Sequence, residues 1–135
     1  MRRLLIPCLA VLTLAGCPAP QDRLPPDLPD AVAPRPYAEL LTRARAQAKV
    51  ATEAFYINKW GDLEDAARGL EQTARYLPKA EEVPGARKPA LMVLSDDLLK
   101  EAGNLRKAAQ SKDEKEATAV LTRINFKVRE LRPDE

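Results

Sequence analysis

The chain has no histidine, 2 cysteines, 5 glycines and only 4% aromatic residues in 135, and each shortage closes off a class of chemistry. Without imidazole there is no usual general base at neutral pH, no commonest metal ligand and no standard haem ligand. Ser95 and Ser111 therefore have no histidine to activate them as nucleophiles. The Glu-x-x-His pairs of di-iron bundles cannot be built either. No run alternates with period two and the β-branched residues are scattered, which argues against a sheet. No apolar stretch is long enough to cross a ~30 Å hydrocarbon core; the N-terminal one runs from Leu4 to Leu14 and contains Pro7 and Thr13.

That short segment has another use. A basic start at Arg2 and Arg3, the apolar stretch and the small residues Ala15 and Gly16 are the layout of an export signal. The ending Leu14-Ala15-Gly16-Cys17 resembles the signal of bacterial lipoproteins. The resemblance implies a diacylglycerol on the thiol of Cys17, a cut before it, and a mature chain anchored by lipid in the cell envelope, facing the periplasm or exterior. Residues 1–16 then form the signal peptide. Cys8 leaves with it, so no disulfide is expected. Two or three acyl chains, at ~0.8 kcal/mol per buried methylene, make such anchoring essentially permanent. Losing Arg2 and Arg3 leaves 20 basic against 20 acidic side chains. With neutral charge and no basic block, no nucleic-acid partner is expected.

Residues 17–36 hold the lipidated Cys17 and then prolines at 18, 20, 25, 26, 29, 34 and 36. Proline fixes φ and removes the amide donor, so this stretch reads as an extended tether reaching up to ~60 Å. A PxxP ligand at Pro26–Pro29 is the functional alternative.

Residues 37–135 change to Ala, Leu, Glu, Lys and Arg, with apolar positions three and four apart. Tyr37, Leu41, Ala44, Ala48, Ala51 and Phe55 form one stripe; Trp60, Leu63, Ala67, Leu70, Ala74 and Leu77 form a second. Leu91, Leu94, Leu98, Ala102, Leu105 and Ala109 form a third, and Ala117, Leu121, Ile124, Val128 and Leu131 a fourth. Each covers one side of a helix, and the alternating spacing suits shallow crossing angles. Asp62 is placed to cap the second helix, and Ser111 with Glu114 to open the fourth through a capping box. Pro78 closes the second, and Pro84, Gly85 and Pro89 mark the longest connection. Short links make sequential neighbours antiparallel, so the expected fold is all-α, an up-down-up-down four-helix bundle.

The second helix from Asp62 to Pro78 and the last from Ala119 to Arg132 resemble helices of the cytochrome c-prime type, over roughly residues 37–132. Those proteins are exported four-helix bundles whose final helix carries CxxCH, with two thioether links to haem and the histidine on iron. The resemblance assigns the two cysteine positions to Val128 and Leu131 and the histidine position to Arg132. Thioethers need thiols, and an always-charged guanidinium is no iron ligand, so covalent haem is excluded and no cofactor is expected. Noncovalent haem with electron transfer is the alternative, with Met92, Tyr37, Tyr56 or Tyr76 as conceivable ligands. The main expectation is a non-enzymatic binding or scaffolding module. Because the resembled family commonly dimerises through helix faces, a protein partner or a second copy on such a face is implied.

Three carboxylate groups stand out: Asp62, Glu64 and Asp65; Asp96, Asp97 and Glu101; Asp113, Glu114 and Glu116. Two lie at helix starts, where negative charge complements the helix dipole, and none is expected to hold metal. Phe55, Tyr56 and Trp60, with Phe126 as a contact, read as the capped end of the core, or as a small docking patch. Gly69 and Gly103 fall inside helices at a cost of ~1 kcal/mol each relative to Ala, which fits either close helix packing or a local gap.

Overall fold

The computed structural model describes residues 23–133; the expected signal peptide, residues 1–16, and the expected lipidation site Cys17 lie outside the described residues. Four α-helices make up the domain: α1 (Tyr37–Tyr56), α2 (Trp60–Tyr76), α3 (Leu91–Ser111) and α4 (Glu114–Glu130). Short 3-10 turns at Leu77–Lys79 and Lys88–Ala90 flank the α2–α3 connection. No strand occurs among the described residues, only an isolated bridge between Pro36 and Glu81. Each helix packs on the next, and α4 closes more sparsely on α1.

All four apolar stripes converge on a single core. Every position of the third and fourth stripes is buried, as are all of the second except Trp60 and all of the first except Phe55, which pack half-buried at its margin. The helix boundaries differ from the expected ones in two places. α2 begins at Trp60, so Asp62 lies in its first turn and pairs with Lys59 at 3.7 Å instead of capping. The cause is the turn before it: Asn58 takes a left-handed φ of 56°, a conformation Asn tolerates, and reverses the chain within three residues. α3 likewise runs on through Ser111 and ends at Lys112, itself left-handed. The cap of α4 is therefore Asp113, whose carboxylate accepts the amide of Glu116 at 3.0 Å, in place of a Ser111–Glu114 box.

Gly69 and Gly103 serve polar side chains. A Cβ on Gly69 would meet the Gln47 amide nitrogen at 2.8 Å, and one on Gly103 would meet a Glu71 oxygen at 3.2 Å. Buried Gln47 accepts from the Thr73 hydroxyl at 2.8 Å, while Glu71 takes the Arg106 guanidinium at 3.0 Å. Each glycine thus makes room for a buried polar group that already has its partner, and leaving such a group unpaired would cost more than the glycine does.

The proline segment is extended, as its composition requires, yet residues 23–36 do not hang free. They form a strap laid along α1 and α2. Leu28 is 5% exposed, its amide donates to the Gln72 carbonyl oxygen and its carbonyl accepts from the Gln72 amide, both at 2.7 Å. Tyr76 donates its hydroxyl to the carbonyls of Pro29 and Ala31, at 2.5 and 3.1 Å, and Arg43 donates to the Pro26 carbonyl. Beyond these, Arg35 and Tyr37 bracket Glu81 through backbone hydrogen bonds of 2.8 Å. Proline leaves carbonyls without competing amides, and the strap uses them as acceptors for side chains of the helices.

Candidate functional site

The sparsest of the helix junctions, between α1 and α4, opens into a surface groove of about 480 Å³. Its floor is apolar, Ala48 and Val128, and its walls are polar: Arg45, Lys49, Thr52 and Glu53 from α1, with Asn125, Arg129 and Arg132 from α4 and its end. Helix spacing puts them there. Arg45 and Lys49 are one turn apart beside the α1 stripe, and Arg129 flanks the α4 stripe immediately after Val128. The junction is pinned at two points. The Asn125 amide reaches the Thr52 hydroxyl at 3.4 Å, and buried Tyr37 donates its hydroxyl to the Leu131 carbonyl.

Electrostatically the groove is cationic. Among the described residues no carboxylate lies within ion-pair distance of Arg45, Arg129 or Arg132, whereas Lys49 meets Glu53 at 4.0 Å. Guanidinium groups present forked donors matched to carboxylate and phosphate, and a concave wall concentrates their field. A formal net charge of only +2 over the whole chain conceals this clustering. The signal was present as Arg45 with Lys49 and Arg129 with Arg132, spaced four and three apart beside two apolar stripes, but nothing in the sequence stated that those stripes adjoin.

The three positions that the resemblance assigns to a haem motif border the same region. Val128 is 5% exposed and forms the floor, Leu131 is 0% exposed and belongs to the core, and Arg132 lies on the groove wall. An apolar pair and a cation at these positions do not fit a covalently held haem. The conceivable noncovalent ligands are scattered. Met92 is 62% exposed at the start of α3, Tyr56 is exposed at the end of α1, Tyr37 is committed to Leu131, and Tyr76 to the strap. None lines the groove.

The remaining candidates resolve into local structure. Glu64 and Asp65 share Arg68 at 3.4 Å, Asp97 pairs with Lys127 at 3.0 Å, and Glu101 and Glu116 share Arg123 at 2.9 and 3.4 Å. No group of three acidic or sulfur ligands able to hold a metal ion occurs among the described residues. Ser95 donates to the Leu91 carbonyl at 2.6 Å and Ser111 to that of Lys107 at 3.1 Å, one turn back along their own helix. Phe55 makes edge contacts with Tyr56 and Trp60, at 5.8 and 5.9 Å between centroids. Phe126 is not part of that cluster. It lies two residues from both Ile124 and Val128, which turns it to the outer side of α4, 56% exposed with Lys127 over its ring.

Burial raises the Tyr37 phenol above its ordinary value of 10.0, against a smaller opposing pull from Arg87 and Arg45. The folded state therefore holds this proton more tightly than the unfolded chain does. That contribution to stability is complete below pH 10.0 and disappears as pH rises through the folded value. Denaturant stability of the Tyr37→Phe variant should accordingly fall less steeply above this pH than that of the parent chain. Parallel slopes would contradict the assignment.

No helix among the described residues is long and apolar enough to cross a membrane. No protein family, curated protein or solved structure matches the chain.

Proposed function

We propose that this chain is a lipid-anchored envelope protein, resembling the cytochrome c-prime type without its haem chemistry. Its up-down-up-down bundle acts as a binding module for a ligand bearing carboxylate or phosphate groups. The observation that carries this reading is the α1–α4 groove, where Arg45, Arg129 and Arg132 stand over the apolar floor of Ala48 and Val128 without a described carboxylate partner. The contacts Asn125–Thr52 and Tyr37–Leu131 support the alternation of helix direction, with the two short links. Cationic walls over a narrow floor suit a small anion bearing carboxylate or phosphate groups, and the function needs no catalytic group.

Calorimetric titration with inorganic pyrophosphate and with citrate at low salt tests it. Saturable binding in the millimolar range or tighter, about −4 kcal/mol, is expected for at least one of the two. The double variant Arg45→Glu, Arg129→Glu should weaken it tenfold or more, about 1.4 kcal/mol. Absence of saturable binding to both anions, or affinity indifferent to the charge reversals, would remove the groove as the ligand site.

A further inference from the structure

The strap ends at a particular place on the bundle. Arg23, its first described residue, lines a hollow with Val50, Ile57, Lys59 and Asp62, at the turn joining α1 to α2. From there the strap leads away along α2, from Gln72 to Tyr76 and on to Glu81. Only five residues lie between Cys17 and Arg23, six steps of the chain in all. Even fully extended these steps span ~20 Å, so an acylated Cys17 holds this turn within that distance of the bilayer. The clasp of Leu28 on Gln72 prevents the proline segment from lending its own length to the tether.

The turn is built for such a surface. Tyr56 is 77% exposed and Ile57 60%, adjacent in the chain, with Phe55 and Trp60 half-buried behind them in edge-to-face contact. Tyrosine and tryptophan carry an apolar ring and a polar tip, the combination enriched where acyl chains meet headgroups. Arg23 and Lys59 are balanced by Glu53 and Asp62 around the same hollow. The surface is thus nearly neutral, and ring burial rather than net charge would drive its contact. The other exposed apolar side chains, Met92 and Val93 on α3 and Phe126 on α4, belong to other elements and have no such link to the strap.

We propose that the α1–α2 turn rests on the bilayer, with Tyr56, Ile57 and Trp60 seated at the headgroup level of zwitterionic lipid. This rests on the anchoring reading of Cys17 and adds to it an orientation: the bundle stands on this turn instead of swinging at the end of a tether.

Trp60 is the chain's single tryptophan and reports the contact directly. The full mature protein, with its lipid, is placed in phosphatidylcholine vesicles whose acyl chains are either plain or brominated. Tryptophan emission is expected to be about twofold lower in the brominated vesicles, as for a ring at the headgroup boundary. Equal emission in the two overturns the proposal. The double variant Tyr56→Ser, Ile57→Ser alters only exposed side chains, should stay with the vesicles through its acyl chains, and should recover most of the lost emission. Quenching unchanged in that variant also overturns the proposal, because lipid would then reach Trp60 from another side. A chain that does not float with the vesicles at all refutes the anchoring reading and this proposal with it. One that floats but is not quenched refutes this proposal alone.

Discussion

Replacing Leu131 by Ala is expected to lower the unfolding free energy by about 2 to 5 kcal/mol, the range for deleting a fully buried leucine side chain. That is a large part of the ~5–15 kcal/mol a domain of this size possesses, and melting should fall by about 10 °C or more. Leu131 has no exposed surface, and its carbonyl receives the Tyr37 hydroxyl, so it fastens the end of α4 to the start of α1 at the sparsest junction of the bundle. Phe126→Ala is the control: a larger side chain, five residues away, but 56% exposed, for which a change within about 0.5 kcal/mol is expected. Urea unfolding followed by circular dichroism reads both. A Leu131→Ala loss no larger than that of Phe126→Ala would mean that position 131 does not fill the interior. The reading of the haem positions as packing would go with it.

Cys17→Ser should move the protein from the membrane fraction to the soluble one. A hydroxyl cannot form the thioether that the proposed lipid anchor requires, and without acyl chains nothing among the described helices is long or apolar enough to hold the chain in a bilayer. The effect is expected to be close to complete, since each buried methylene contributes ~0.8 kcal/mol and the chains carry dozens. Intact mass gives the independent measure. The parent chain should begin at Cys17 and carry the mass of two or three acyl groups, and the variant none of it. A parent mass beginning at Met1, or a variant that stays on the membrane after alkaline washing, would refute the anchor.

The helices were legible because their signal is local. Leucine and alanine at alternating spacings of three and four define a face whatever lies opposite, and the stripes of α3 and α4 proved buried at every position. The burial of the polar members of these faces, Gln47, Glu71, Thr73 and Ser95, has no local signal, because only their partners justify it. The strap was half legible. Its prolines dictated extension, but its docking depends on Gln72 and Tyr76, some forty-five residues away. The remaining hint was Leu24, Leu28 and Val32 at regular intervals among the prolines, more apolar surface than a free spacer needs. The groove was the least legible feature, since it arises from two basic pairs on helices at opposite ends of the domain sequence that only tertiary packing brings together.

The direction of the strap also governs how the molecule responds to being pulled. Tension entering through residue 23 acts at one extremity of the strap, so the contacts are loaded in succession and not together: first Leu24, then the Arg43–Pro26 hydrogen bond, then the Leu28–Gln72 clasp, then the hydroxyl of Tyr76. A ribbon peeled from its end yields at low force. The fourteen residues from 23 to 36 span up to ~45 Å when extended, so a pull at residue 23 must open these contacts one after another before it loads the first turn of α1.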